Sequence, residues 1–185
     1  YPGQAGGTAI ADVLFGDYNP AGRLPVTFYK NTEQLPDFED YAIKGRTYRY
    51  MQEKPLFPFG YGLSYTTFRY GKAKLSQSTL TNASDKIQLS IPVRNTGLRD
   101  GEEVVQIYLQ RPADKEGPTK TLRAFKRVRI AKETTQVVEF ELPYTAFEWF
   151  DTASNTMHTQ SGIYTVLYGS SSQANDLQSI SVSIK

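Results

Sequence analysis

The chain has 185 residues, 39% of them hydrophobic, which suits one packed domain plus a substantial extra segment. Its net charge is +2, with Lys and Arg scattered among Asp and Glu, so no basic stripe offers itself to nucleic acid or to an anionic membrane, and no apolar run approaches the roughly 20 residues that span a bilayer. Cys is absent and His158 is the single histidine, which excludes disulfides, thiolate chemistry and a multi-histidine metal site within the chain.

The opening YPGQAGG carries neither an initiator Met nor a secretory leader, so the chain is expected to continue upstream, where any targeting signal would lie. GGTAIADVLFGDYNPAGRLP predicts one helix: Thr8 suits its N-cap, Ile10, Val13 and Leu14 share a face, Gly16 suits the stop, and Pro20 bars resumption. RLPVTFY then predicts a short strand, with Val26 and Phe28 alternating against Thr27 and Tyr29. One helix and one strand cannot bury their apolar faces alone, so residues 1–30 read as the end of an α/β domain. The apolar stripe of that helix is also a place for self-association. Residues 31–70 show few periodic signals and read as an extended, aromatic-rich connection.

Residues 71–185 alternate with period two. Ile87, Leu89, Ile91 and Val93 point one way while Gln88, Ser90 and Arg94 point the other. Val105, Ile107 and Leu109 repeat the pattern, as do Val138, Phe140 and Leu142, then Ile163, Thr165 and Leu167, then Ile180, Val182 and Ile184. Turn signals fall at Asn95–Gly97, Asp114–Pro118 and Gly169–Ser172. About seven short strands at this spacing predict an antiparallel sandwich of the immunoglobulin or fibronectin type III kind.

Several motifs allow a functional and a structural reading. PGQAGG is either a loop at the rim of a sugar pocket or a tight strand-to-helix turn, and the Lys-Ser/Thr ending of a phosphate loop is missing. NPAGRLP is turn chemistry, with Arg23 free to reach a neighbouring domain. GRTYRY joins planar cations to aromatic faces, which suits a carbohydrate rim or an interdomain stack. PLFPFGYGLSYTTF is a sugar platform or the seal of a domain seam, with Gly60 and Gly62 admitting close backbone approach. Asp37, Glu39 and Asp40 read as a solvated acidic loop. Glu102 and Glu103, adjacent on a strand, point to opposite faces and cannot converge on one substrate. His158 reads as a surface residue in a turn and Trp149 as an aromatic of the sandwich.

Three stretches in order resemble family 3 glycoside hydrolases: YPGQAGGTAIADVLFGDYNPAGRLPVTFY at 1–29, GRTYRYMQEKPLFPFGYGLSYTTF at 45–68, and VRNTGLRDGEEVVQIYL with LRAFKRVRI within 93–130. The GRTYRY and PGQAGG forms look most like the β-xylosidase branch, and some relatives act on arabinofuranosides or β-glucosides. The resemblance implies a mainly β chain: a fibronectin type III-like sandwich over 71–185, preceded by a remnant of an α/β sandwich domain over 1–30 and a connection over 31–70. It also implies an enzyme that removes terminal non-reducing β-linked sugars, by the two-carboxylate chemistry of glycoside hydrolysis. In that family the nucleophilic Asp lies in an N-terminal barrel and the acid/base Glu upstream of the PGQAGG-type loop. No catalytic residue is therefore assigned to this chain, and no cofactor or metal is expected. Gln4, Arg46, Tyr48 and Arg49 are the candidate rim residues. The expected partners are a glycoside or oligosaccharide substrate, met through the longer enzyme, and upstream domains of the same protein. Isolated, the chain should be inactive, and the expected location is periplasmic or secreted. The competing readings are a carbohydrate-binding module and a structural or interaction module.

Overall fold

The computed structural model describes residues 3–185; Tyr1 and Pro2 of the PGQAGG motif lie outside that range. The helix α1 spans Gly6–Phe15. Its ladder begins at Ala5, whose carbonyl accepts from Ala9 N (3.0 Å), so Thr8 sits inside the helix and not at its N-cap as the sequence suggested. Gly16 ends it at φ +85°, the left-handed conformation that glycine adopts most readily. Nothing on α1 is buried: Ile10, Leu14 and Phe15 all face outward.

The strand expected after Arg23 does not join a sheet. Leu24 and Phe28 instead run irregularly against residues 56–61: Leu24 N donates to the Tyr61 carbonyl (2.8 Å) and Phe28 N to that of Phe57 (2.9 Å), with one isolated bridge at Phe28–Phe57. The reason is chemical. Pro25, Pro55 and Pro58 remove ladder donors on both sides. The connection is less uniform than expected: a 3-10 turn occupies Thr32–Gln34 and a short helix, α2, occupies Thr47–Tyr50.

Eleven strands follow, numbered in chain order: β1 Phe68–Tyr70, β2 Lys74–Leu75, β3 Thr79–Leu80, β4 Lys86–Asn95, β5 Gly101–Gln110, β6 Thr121–Ile130, β7 Thr135–Pro143, β8 Glu148–Asp151, β9 Thr156–Thr159, β10 Gly162–Gly169 and β11 Leu177–Ile184. In one sheet β4 is central, with β7 on one side and β1 and β2 end to end on the other. The second sheet has the order β3-β11-β10-β5-β6, antiparallel except for β3 on β11. β8 and β9 form a separate hairpin that places His158 opposite Trp149, on a strand and not in the expected turn.

The predicted alternation builds the core on β4, β5, β7 and β11, but on β10 the parity is reversed. There Tyr164, Val166 and Tyr168 are buried, while the expected Ile163 is exposed and Thr165 and Leu167 are only half-buried, because the bulky aromatics of that strand face inward. Ile87, Leu89, Ile91 and Val93 of β4 face Val105, Ile107 and Leu109 of β5, and all are fully buried. Nineteen buried residues make up this cluster, each contributing about 1.5–3 kcal/mol of apolar burial. α1 contributes none, so the sandwich supplies the cohesion and the N-terminal segment leans on it.

Candidate functional site

β5 is buried on both faces near its end, which period-two alternation does not foresee: Gln106 and Tyr108 point away from the core yet are covered. Their cover is the aromatic connection. Tyr48 of α2 stacks on Phe59 with ring centroids 4.4 Å apart, and both meet Tyr108 edge-on at 5.7 and 6.5 Å. Gln106 accepts from Tyr108 Oη (2.5 Å) and donates to the carbonyls of Ser170 (2.5 Å) and Gly60 (3.2 Å). Gly60 has φ +81°, and a Cβ there would collide with the Gln106 amide; one at Gly62 would strike the Gly22 carbonyl oxygen. Both glycines are therefore required by close approach. Burial raises the pKa of Tyr108, which stays a neutral donor.

A second tie crosses the same seam. Arg23 donates to Glu103 Oε2 at 2.5 Å, and Tyr70 Oη donates to Glu103 Oε1 at 2.7 Å. One carboxylate thus joins the N-terminal segment, β5 and β1. The side chains of Arg23 and Glu103 are only 10% and 2% exposed. Burial raises the Glu103 pKa, opposed by the Arg23 charge and the Tyr70 hydroxyl; burial and then Glu103 push Tyr70 well up. Arg23, which the sequence left free to reach a neighbouring domain, reaches the sandwich. Glu102 turns outward to Arg127, so the two adjacent carboxylates diverge as expected.

The rim candidates lie in different settings. Gln4 is exposed in the turn before α1. Arg46, Tyr48 and Arg49 share α2 and its N-terminal flank. Arg46 donates to the Asp40 carbonyl, and Arg49 lies over the Tyr50 ring at 5.6 Å. The Arg49 carbonyl accepts from Thr119 N (2.7 Å) and Thr119 Oγ1 (2.9 Å), while Tyr48 Oη accepts from Leu122 N (3.1 Å). Thr47 sits at φ 57°, a strained conformation for a β-branched residue, held by these contacts on both sides. Asp37, Glu39 and Asp40 are exposed. Trp149 is buried beneath the Arg123 guanidinium, 5.4 Å from its ring.

Two family descriptions match the chain. The glycosyl hydrolase family 3 C-terminal domain covers residues 1–65, and a fibronectin type III-like domain covers 103–172. The chain belongs to glycosyl hydrolase family 3. It is 52% identical over 184 residues to a xylan 1,4-beta-xylosidase from Xylanibacter ruminicola, spanning 100% of this chain and 21% of that protein. A periplasmic beta-glucosidase from Salmonella typhimurium is 39% identical across 82% of this chain and 21% of its own length. Among solved structures, a β-glucosidase from Erythrobacter marinus superposes with a TM-score of 0.81 at 38% identity, over 97% of this chain and 24% of that one. The chain thus spans about a fifth to a quarter of these family 3 relatives, in their C-terminal region, and its fold is the expected fibronectin type III-like sandwich.

Proposed function

We propose that this chain completes a glycoside hydrolase that removes terminal non-reducing β-linked sugars, of β-xylosidase or β-glucosidase type. Its task is to brace and rim the cleft while carboxylates elsewhere perform the cleavage. The observation that carries this reading is the seam: Tyr48, Phe59, Gly60 and Arg23 are committed to β5, so the segment that leads out of the α/β part is fixed to the sandwich. The 52% identity to a xylan 1,4-beta-xylosidase favours a β-xyloside as substrate. In the same reading residues 1–30 end the α/β domain, 31–70 connect, and 71–185 form the sandwich, with Gln4, Arg46, Tyr48 and Arg49 nearest the rim. A periplasmic or secreted location fits, since one relative is a periplasmic β-glucosidase.

A chromogenic β-xyloside assay tests the division of labour. The isolated chain should give no turnover, and the longer enzyme should lose activity when Gly62→Ala disturbs the seam. Turnover by the isolated chain would end this reading. Standing alone, the chain should also associate with itself through Ile10, Leu14 and Phe15, seen as a concentration-dependent sedimentation coefficient.

A further inference from the structure

A cleft of about 340 Å³ opens where α2, the start of β6 and the loop after β10 meet. Lys120 lines it, partly buried, with no ion pair among the described residues. Burial lowers the Lys120 pKa, with no neighbouring charge to offset it. Thr27 also lines the cleft, and its Oγ1 is buried without a hydrogen-bond partner. The amide side chains of Gln52, Gln173 and Asn175 complete a polar wall. Tyr48 forms part of the floor, one face already taken by Phe59.

The surrounding field is positive. Arg49, next to Tyr48, lies close enough to Arg123 for their charges to oppose each other, and the Nε of each is buried without an acceptor. Glu148 is near Arg123 but outside ion-pair distance, its backbone carbonyl alone accepting from that guanidinium. Of the remaining charges in the cleft, Glu53 accepts from Gln34 Nε2 (2.8 Å) and Lys54 adds another cation. A partly buried ammonium and an orphaned hydroxyl, in a cleft with room for a monosaccharide, call for an anion that also carries hydroxyl groups.

We propose that this cleft binds the carboxylate of an acidic sugar, with Lys120 as its counter-ion and Thr27 and the three amides receiving the hydroxyls. The choice of a sugar as carrier rests on the glycosidase reading above.

Titration of the ¹⁵N-labelled chain with glucuronate, followed by amide shifts, tests it. Saturable shifts are expected at Thr27, Gln52, Gln173 and Asn175. Lys120→Met should weaken binding by about tenfold or more, the loss of one charged hydrogen bond, while Lys120→Arg keeps most of it. Xylose, acetate and an Asp/Glu-containing peptide should each bind more weakly than glucuronate. Equal binding by Lys120→Met or by xylose would overturn the counter-ion role. Acetate binding as tightly as glucuronate would overturn the sugar assignment, and a tighter peptide would give the cleft to a protein carboxylate instead. Should Lys120→Met fail to fold, the Arg variant decides: loss of binding there, with the spectrum otherwise intact, overturns the proposal. Binding is read without turnover, so its failure leaves the glycosidase reading standing, and an inactive enzyme leaves the binding result standing.

Discussion

Glu103 shows how much one side chain can hold. Removing one member of a buried pair leaves the other charge stranded, which typically costs about 3–5 kcal/mol. Glu103→Ala, which leaves both Arg23 and the Tyr70 hydroxyl without their acceptor, should therefore lower stability by that order in urea unfolding, whereas an Arg23→Met, Glu103→Leu double variant should recover much of the loss. The sign with pH also follows. Burial raises the folded-state pKa of Glu103, so its contribution is fully present at low pH and declines as pH rises through that value. Asp85 behaves in the opposite sense. It accepts from Thr81 N (2.7 Å) and Asn82 N (2.9 Å), which hold its carboxyl below the usual range. Its contribution is present above about pH 4 and lost as pH falls through the folded value. Asp85→Asn should flatten the acid limb of a stability–pH curve, and an unchanged limb would refute the assignment. Neither role was legible from sequence. Glu103 lies in an ordinary GEEVV strand, and only the fold delivers Arg23 and Tyr70 to it from 80 and 33 residues away.

Among the elements, the long strands were legible because their inward residues repeat every second position against a single core. β4 follows that rule throughout, and β7 follows it from Val137 onward. The rule failed where strands are two or three residues long, as in β2, β3 and β1, since no period can be counted there. It also missed the β8–β9 hairpin, and it missed the second buried face of β5, whose cover comes from residues 48–60. β1 falls within the stretch read as connection, yet it pairs with β4 from Phe68↔Asn95 to Tyr70↔Val93. Gly62 tests the seam as an element. A Cβ there meets backbone, which cannot swing away as a flexible side chain can. Gly62→Ala should cost about 1–3 kcal/mol by overpacking. Hydrogen exchange should show the Leu24 and Gly60 amides losing protection while those of β4 and β7 keep theirs. Loss of protection in both regions together would mean that seam and sandwich unfold as one.

At the scale of the whole molecule, cohesion is uneven. The core of nineteen residues sits between two sheets, while residues 3–67 contribute chiefly the seam. The chain should therefore open from its N-terminal side first, with exchange protection rising from α1 through residues 24–60 to β4, β5 and β10. Equal protection across all of these would contradict that order. The sandwich class was readable from strand number and spacing. What the sequence could not convey was that its outer sheet face already has an occupant, because an aromatic-rich connection looks the same whether it wraps its own sandwich or a sugar.

The last strand bears on how the molecule takes load. β11 pairs with β10 from Gly162↔Ile184 to Gly169↔Leu177, and Lys185 N donates to the Leu80 carbonyl at 3.0 Å beside the parallel β3. A pull applied at that end along the strand meets two ladders in shear, one on either side, and must slide them together instead of unzipping one pair at a time. Tension from that end is thus spread over eight residue pairs of the β10–β11 ladder at once, and is not concentrated on one.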